Sequence, residues 1–232
     1  GRGPRPRRPT AADVVARLST RTAPAPERAP PFVGRAAELA ALDAALADVR
    51  AGLARTVCVE GPSGMGKSAL VHAFVARTEE RAPEVRVLAG RCYERESVPF
   101  KGIDGVVDAL VRELLRRDPI DVALLLTPEV EALARTFPVL RRVPAIARLS
   151  VRKPDSPIEL RARAFRGLRQ LLAALAHQHP LVVVIDDIQW ADSDSLALLR
   201  EIVEPASAPP ILLILTHRRD GGPGVALPAP AA

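Results

Sequence analysis

Aromatic residues and cysteine are scarce in this chain of 232 residues, which holds one Trp, one Tyr, five Phe and two Cys. So few rings offer no ladder on which successive bases could stack, and this removes one mode of single-stranded nucleic-acid binding. Cys58 and Cys92 are too few for a disulfide framework and neither sits in a CxxC pair, so a reducing cytoplasm is the expected setting. Long apolar runs are missing too. Runs such as residues 181–185 and 211–215 fall far short of the roughly 20 residues that cross a bilayer, and the Arg-rich start lacks the apolar core of a secretory signal. No membrane span is expected. Lysine occurs only at 67, 101 and 153 and methionine only at 65. Opening on Gly1-Arg2-Gly3 with no initiator, the chain reads as an excerpt from something longer.

What is abundant is arginine, alanine and proline. The net charge of +6 and the isoelectric point near 10.3 would suit a phosphate-binding surface if the cations were clustered. They are instead spread along helical segments beside Glu and Asp, the pattern of a solvated surface, and this argues against direct nucleic-acid binding. The length suffices for one α/β domain with a sizeable core.

Along the chain, Thr10 and Asp13 stand in a capping arrangement that predicts a short helix from Ala11. Residues 21–31 are Pro-rich and read as a linker. Residues 32–220 carry the folded domain. Leu39, Leu42, Leu46 and Val49 recur at helical spacing up to Gly52. A strand is predicted over 56–60, a helix from Lys67 to about 80, and a second strand over 84–89. Ile103, Val106, Val107, Leu110, Val111, Leu114 and Leu115 mark an amphipathic helix, and weaker helical patterns cover 129–137, 139–149 and 158–176. The run 181–185 has the look of a parallel strand buried on both faces. A helix over 193–203 and a fourth strand over 211–215 follow. Residues 221–232, rich in Gly, Pro and Ala, carry no core signal and are expected to be disordered.

Two motifs carry chemistry. Gly61-Pro62-Ser63-Gly64-Met65-Gly66-Lys67-Ser68 satisfies GxxxxGK[ST] between a predicted strand and a predicted helix. Glycines there admit a loop whose backbone N–H groups converge on phosphates, Lys67 supplies a positive charge to the β and γ phosphates, and the Ser68 hydroxyl is a ligand for Mg²⁺. Strand 181–185 then ends in Asp186 and Asp187, the acidic pattern that follows a buried strand at the edge where such a loop opens. Asp186 is expected to hold Mg²⁺ through water and Asp187 to orient or deprotonate the attacking water. ATP with Mg²⁺ is therefore the expected cofactor. His177 and His179 flank Gln178, but with no Cys or acidic partner nearby they read as a solvated helix end. Gln189 and Trp190 are candidates to shape the site, and Trp190 reads equally well as packing.

With these motifs in place, the chain resembles the AAA-like and STAND class of P-loop ATPase domains. Val33, Gly34 and Arg35, following Phe32, resemble the class's N-terminal signature, which the resemblance places near the adenine. Asp186-Asp187-Ile188-Gln189-Trp190-Ala191-Asp192 is similar to its extended Walker B segment. Thr216-His217-Arg218 resembles the end of its sensor 1 strand, which implies that Arg218 approaches the γ-phosphate. The resemblance implies an α/β fold, a three-layer P-loop NTPase parallel sheet with a helical insertion between strands two and three. Strands 4 and 3 would lie beside strand 1 with strand 2 outermost. Residues 90–100 are similar to one branch in which the ATPase follows a bacterial serine/threonine protein kinase. Arg8-Pro9-Thr10-Ala11-Ala12-Asp13-Val14 resembles the final kinase helix, so residues 1–20 read as the end of a kinase domain or as an ordinary capped helix. The implied partners are ATP or ADP and other domains of the parent chain, with room for a homo-oligomer. The implied function is slow ATP hydrolysis in a signalling regulator, against a nucleotide-gated binding module or the ATPase domain of a transcriptional regulator. In that class a fifth strand and a helical lid follow, so the domain is expected to be incomplete at its C-terminal end.

Overall fold

The computed structural model describes residues 34–94, 99–150, 156–204 and 206–218. The expectations for residues 1–33 and 219–232, Val33 included, lie outside these described residues. Helix α1 (Ala36–Arg50) leads to β1 (Arg55–Gly61), and α2 (Lys67–Arg81) leads to β2 (Arg86–Arg91). Among the described residues, five helices then intervene before the next strand: α3 (Lys101–Leu115), α4 (Pro119–Leu125), α5 (Val130–Thr136), α6 (Pro144–Ala147) and α7 (Pro157–Gln178), with a 3₁₀ turn at Pro138–Arg142. Strand β3 (Leu181–Asp186), a 3₁₀ turn at Ile188–Trp190, α8 (Ser193–Ile202) and β4 (Ile211–Arg218) complete the order.

The four strands are parallel in the order β1-β4-β3-β2, as expected, with the insertion between β2 and β3. Alternation along each strand divides the sheet into two faces. Leu88, Val183, Ile185, Leu213 and Leu215 join one apolar cluster with Val107 and Leu110 of α3, Leu168 and Leu172 of α7, and Leu198 of α8. Their neighbours Val182, Val184, Leu212 and Ile214 are as deeply buried yet stand outside that cluster. Leu42 and Leu46 of α1 and Leu70 and Phe74 of α2 are likewise buried outside it, on helices that touch β1 and β4. Helices thus cover both faces, and β3 is buried along its whole length.

Several boundaries depart from the sequence pattern for identifiable reasons. Strand β2 runs to Arg91 rather than to 89 because its ladder with β3 continues to the Arg91–Asp186 pair. Likewise β4 continues past 215 to Arg218, paired with Gly61 at the end of β1. The single helix expected over 139–149 is split. Pro144 has no N–H and disfavours a helical residue before it, and Val143 is extended at φ −80°, ψ 116°. Helix α4 was not expected, although Asp118 accepts a hydrogen bond from the Ile120 N–H at 2.8 Å with Pro119 at the first helical position. Helix α7 starts with a capping box in which Ser156 and Glu159 satisfy each other's backbone N–H. Gly105 allows α3 to lie directly on β2, since a Cβ on it would come within 2.7 Å of the Gly90 Cα.

The Asp192 carboxylate joins the start of α3 to the start of α8. Asp192 caps α8 by accepting from the N–H groups of Asp194 (3.0 Å) and Ser195 (2.9 Å), and also accepts from the Phe100 N–H at the start of α3 (3.2 Å). Burial alone would raise its pKa, but hydrogen bonds from the Ser195 hydroxyl and from the backbone N–H groups of Ser195 and Phe100 outweigh this and hold it below the usual carboxylate range. A folded pKa below the unfolded value of about 3.9 contributes stability above that pH, which is lost as pH falls through the folded value. Denaturation midpoints measured from about pH 6 down to pH 2 should therefore fall on the acid side, and Asp192→Asn should flatten that fall.

Candidate functional site

The phosphate-loop motif connects β1 to α2. Gly64 and Gly66 take left-handed backbone conformations, φ 78° and 73°, which a residue with a Cβ adopts only with strain. Gly66 is the residue before α2, and no side chain caps this helix. No acidic residue lies in its first turn either. Its N-terminal N–H groups and the positive end of its dipole are thus left to an anion. Lys67 is buried, and its ammonium donates to the Gly61 and Pro62 carbonyls, both at 2.8 Å. One of its three N–H bonds remains for another acceptor.

Asp186 stands at the end of β3, beside this loop. The Ser68 hydroxyl lies 2.9 Å from each of its carboxylate oxygens, which brings together the two residues expected to serve Mg²⁺. Thr216 of β4, fully buried, donates to Asp186 Oδ1 at 2.5 Å and accepts the Asp187 N–H at 2.8 Å. Its hydroxyl therefore fixes both acids at once. Sequence reasoning gave Thr216 no part in the site, although it opens the Thr216-His217-Arg218 segment.

Asp187 adopts a left-handed conformation, φ 58° and ψ 46°, that turns the chain out of the strand. Asp tolerates this region better than most residues, at a cost of about 1 kcal/mol or more. Its Oδ1 accepts from Gln189 Nε2 (2.8 Å) and Arg218 Nε (3.0 Å), and its Oδ2 from Arg91 Nη2 (2.8 Å). Burial pushes its pKa up, and the hydrogen bonds from Gln189, Arg91 and Arg218 more than reverse this, so the carboxyl is held below its ordinary range. In this arrangement Asp187 is a weak proton acceptor. Arg91 also lies 3.6 Å from Asp186. Sequence reasoning did not find Arg91, because nothing in residues 90–100 shows that β2 ends on it. Only the register opposite Asp186 places it at the site.

Ser63, Gly64, Gly66, Lys67, Ser68, Arg91, Asp187 and Arg218 line one concavity of roughly 240 Å³. Gly34, exposed at φ 89°, precedes Arg35, whose guanidinium donates to the Met65 carbonyl in the loop. Arg35 thus reaches the site from the start of α1. A larger concavity, roughly 570 Å³, lies at the opposite edge of the sheet around Arg86, Glu113, Arg117 and His179. There Glu113 is held by Arg86 at 3.3 Å and Arg117 at 3.0 Å. His177 and His179 form no metal cluster with Cys, Asp or Glu among the described residues. No helix among those residues is long and apolar enough to cross a membrane.

The residues present suit Mg²⁺ and a nucleoside triphosphate. A hydroxyl and a carboxylate supply hard oxygen ligands, while an uncapped helix start with a buried lysine supplies the phosphate cradle. Fold and site together define a P-loop nucleotide-binding domain. The chain belongs to the AAA ATPase domain family, whose model matches residues 31–214. It is 27% identical over 202 residues to an uncharacterized protein of Rhizobium meliloti (strain 1021), covering 81% of this chain and 18% of that protein. The chain thus spans under a fifth of that relative's length. Among solved structures, Drosophila ORC bound to DNA is 18% identical with a TM-score of 0.40, over 81% of this chain and 38% of that one. The Walker-type ATPase of Pyrococcus abyssi is 18% identical with a TM-score of 0.38, over 81% and 45%.

Thr216→Val keeps the shape of the side chain but leaves the Asp187 N–H without its partner. This should lower unfolding stability by about 1–3 kcal/mol in urea titrations. It should also weaken the Mg²⁺ dependence of nucleotide binding, because Asp186 loses one of the groups that orient it.

Proposed function

We propose that this chain binds Mg²⁺-ATP and hydrolyses it slowly, as the nucleotide switch of a cytoplasmic signalling regulator in which residues 32–220 are the ATPase domain. The observation that carries this reading is the meeting of Lys67, Ser68 and Asp187 around one concavity at the C-terminal ends of the strands, with Asp186 hydrogen-bonded to Ser68. Ser68 and Asp186 would hold Mg²⁺, which on binding withdraws charge from the phosphate oxygens. The loop N–H groups and Lys67 bind and orient the phosphates. Asp187 fixes an attacking water by accepting its hydrogen bond. Its lowered pKa favours orientation over proton abstraction, and catalysis then rests on positioning and charge stabilisation. Arg218 and Arg91, which line the same concavity, supply further positive charge to the phosphates.

The finer reading, a regulator in which this domain follows a serine/threonine protein kinase, is supported by the resemblance of residues 90–100 and of Arg8 to Val14. A second reading is a nucleotide-gated module with little turnover. It is favoured by the two guanidiniums that hold Asp187.

Titration with a fluorescent ATP analogue tests the phosphate loop. Lys67→Ala should weaken affinity by roughly 10- to 100-fold, the worth of a charge-assisted hydrogen bond, and equal affinity in variant and wild type would sink the assignment. The two acids should separate in paired assays of binding and phosphate release. Asp187→Asn should keep Mg²⁺-ATP affinity and lose about 100-fold of turnover, because an amide has one acceptor oxygen in place of two and no charge to hold Arg91 and Arg218, so the water-orienting group is misplaced, whereas Asp186→Asn should weaken the dependence of binding on Mg²⁺. Identical behaviour of the two variants would show that the roles are not divided in this way. No phosphate release from the wild type, with binding intact, would select the nucleotide-gated module.

A further inference from the structure

We infer that Asp192 is a positioning residue for the reaction, its one carboxylate locking the segment that carries Asp187 and Gln189 onto the start of the helical insertion. The inference rests on the ATPase reading above for what is positioned. It rests on separate contacts for how. Asp187 and Asp192 stand at the two ends of a short arc closed by the 3₁₀ turn, in which the Trp190 N–H donates to the Asp187 carbonyl at 3.0 Å and the Ala191 N–H to the Ile188 carbonyl at 2.9 Å. Within the arc Gln189 donates to Asp187 Oδ1 and accepts the Arg218 N–H at 3.1 Å. Such a tight arc transmits a displacement of one end to the other.

Asp192 does more than an ordinary helix cap. Beyond the two N–H groups of α8, its Oδ1 accepts the N–H of Phe100, the residue before α3 and 92 positions away in sequence. Its Oδ2 accepts the Ser195 hydroxyl at 2.6 Å, and that hydroxyl accepts the Gly102 N–H at 3.0 Å. Two N-terminal groups of α3 are therefore tied to the arc. Phe100 itself is held in a left-handed conformation, φ 64°, an uncommon state for a bulky residue that persists only where its surroundings impose it. Its ring packs on Phe137 and Phe165, with centroids 5.3 Å and 5.8 Å away, so this peptide is anchored in the insertion. Gly102 closes the joint. A Cβ there would meet the Ala191 Cβ at 2.9 Å and the Ser195 Cβ at 3.0 Å, so only glycine lets the helix start sit this close.

At the other end of the same connection, Arg91 holds Asp187 and the Cys92 N–H donates to the Asp186 carbonyl at 2.9 Å. Arg91 and Cys92 at the end of β2, and Phe100 and Gly102 at the start of α3, are thus fastened to opposite ends of the arc. Releasing the Asp192 end leaves the phosphate loop untouched but frees Asp187 to shift, and misplacement by about 1 Å can cost on the order of 100-fold in rate.

The test uses Trp190, the one tryptophan of the chain, as a reporter inside the arc. Asp192→Ala, Asp192→Asn and Gly102→Ala are compared with wild type for phosphate release, affinity for a fluorescent ATP analogue, Trp190 emission with acrylamide quenching, and far-UV circular dichroism. Asp192→Ala and Gly102→Ala should lose about tenfold or more of kcat, with analogue affinity within about threefold. Both should show red-shifted, more quenchable Trp190 emission with unchanged helical signal. Asp192→Asn, whose amide oxygen still accepts the three N–H bonds, should stay close to wild type in every readout. A simple loss of stability would lower kcat and affinity together, and that result overturns the inference, as does an Asp192→Ala protein indistinguishable from wild type. Should Asp192→Ala fail to fold, Gly102→Ala alone decides. If the wild type binds the analogue without releasing phosphate, the hydrolysis reading fails, and Trp190 emission in the variants still decides whether Asp192 holds the arc.

Discussion

Two adjacent carboxylates, Asp186 and Asp187, are buried at the end of a strand that is itself covered on both faces. Burying one charge without partners is prohibitive, and burying two side by side is worse. The surrounding structure answers this demand from every direction. Ser68 comes from the start of α2, Thr216 and Arg218 from β4, Arg91 from the end of β2, and Gln189 from the turn that follows. The strand order makes this convergence possible, because β3 lies between β4 and β2 and both neighbours deliver their last residues to the same edge. Moving either neighbour away from β3 would remove one of the two guanidiniums that hold Asp187.

The helix starts make a complementary point. Helices α4, α7 and α8 each begin with a capping side chain, Asp118, Ser156 and Asp192. Helix α2 begins with Gly66 and Lys67, without a cap or a first-turn acid. Helices α1, α3 and α5 lack a capping side chain of their own but carry an acid in the first turn, Glu38, Asp104 and Glu131. Where α2 faces the glycine loop, the chain supplies a cation and leaves the N–H groups to something negative.

What the sequence reveals and what it hides follow from the range of the interactions involved. Local signals are dependable. The glycines of residues 61–66, the apolar run ending in two acids, and the spacing of Ile103, Val106 and Leu110 each report a structure formed by neighbours in sequence, and each element lies where they point. Arg91 and Thr216 are different. Their roles depend on which residue of an adjacent strand stands opposite, and register is a tertiary property that no window of a single strand contains. The double duty of Asp192 was hidden in the same way. Its spacing to Ser195 reads as an ordinary cap, and nothing near it in sequence points to Phe100. Helix α4 is the exception. Its Asp-Pro start was a local signal and went unread because Ile120 and Leu124 are exposed, so the segment lacks the apolar periodicity that marks the other helices.

Neutralising the acids also shapes the chemistry. Arg91 and Arg218 keep Asp187 ionised despite burial, and they line the concavity where phosphates would sit. Their charge therefore faces two sets of anions, the carboxylate already in place and any phosphate that enters. The stronger their hold on Asp187, the lower its basicity and the less their charge is available to phosphate oxygens. Lys67 escapes this conflict, because its two partners are neutral carbonyls that it can share with an anion at little loss. The division suggests that affinity for the nucleotide is set mainly by the loop and Lys67. Turnover is set mainly by how the cluster around Asp187 shares two guanidiniums between a carboxylate and a phosphate.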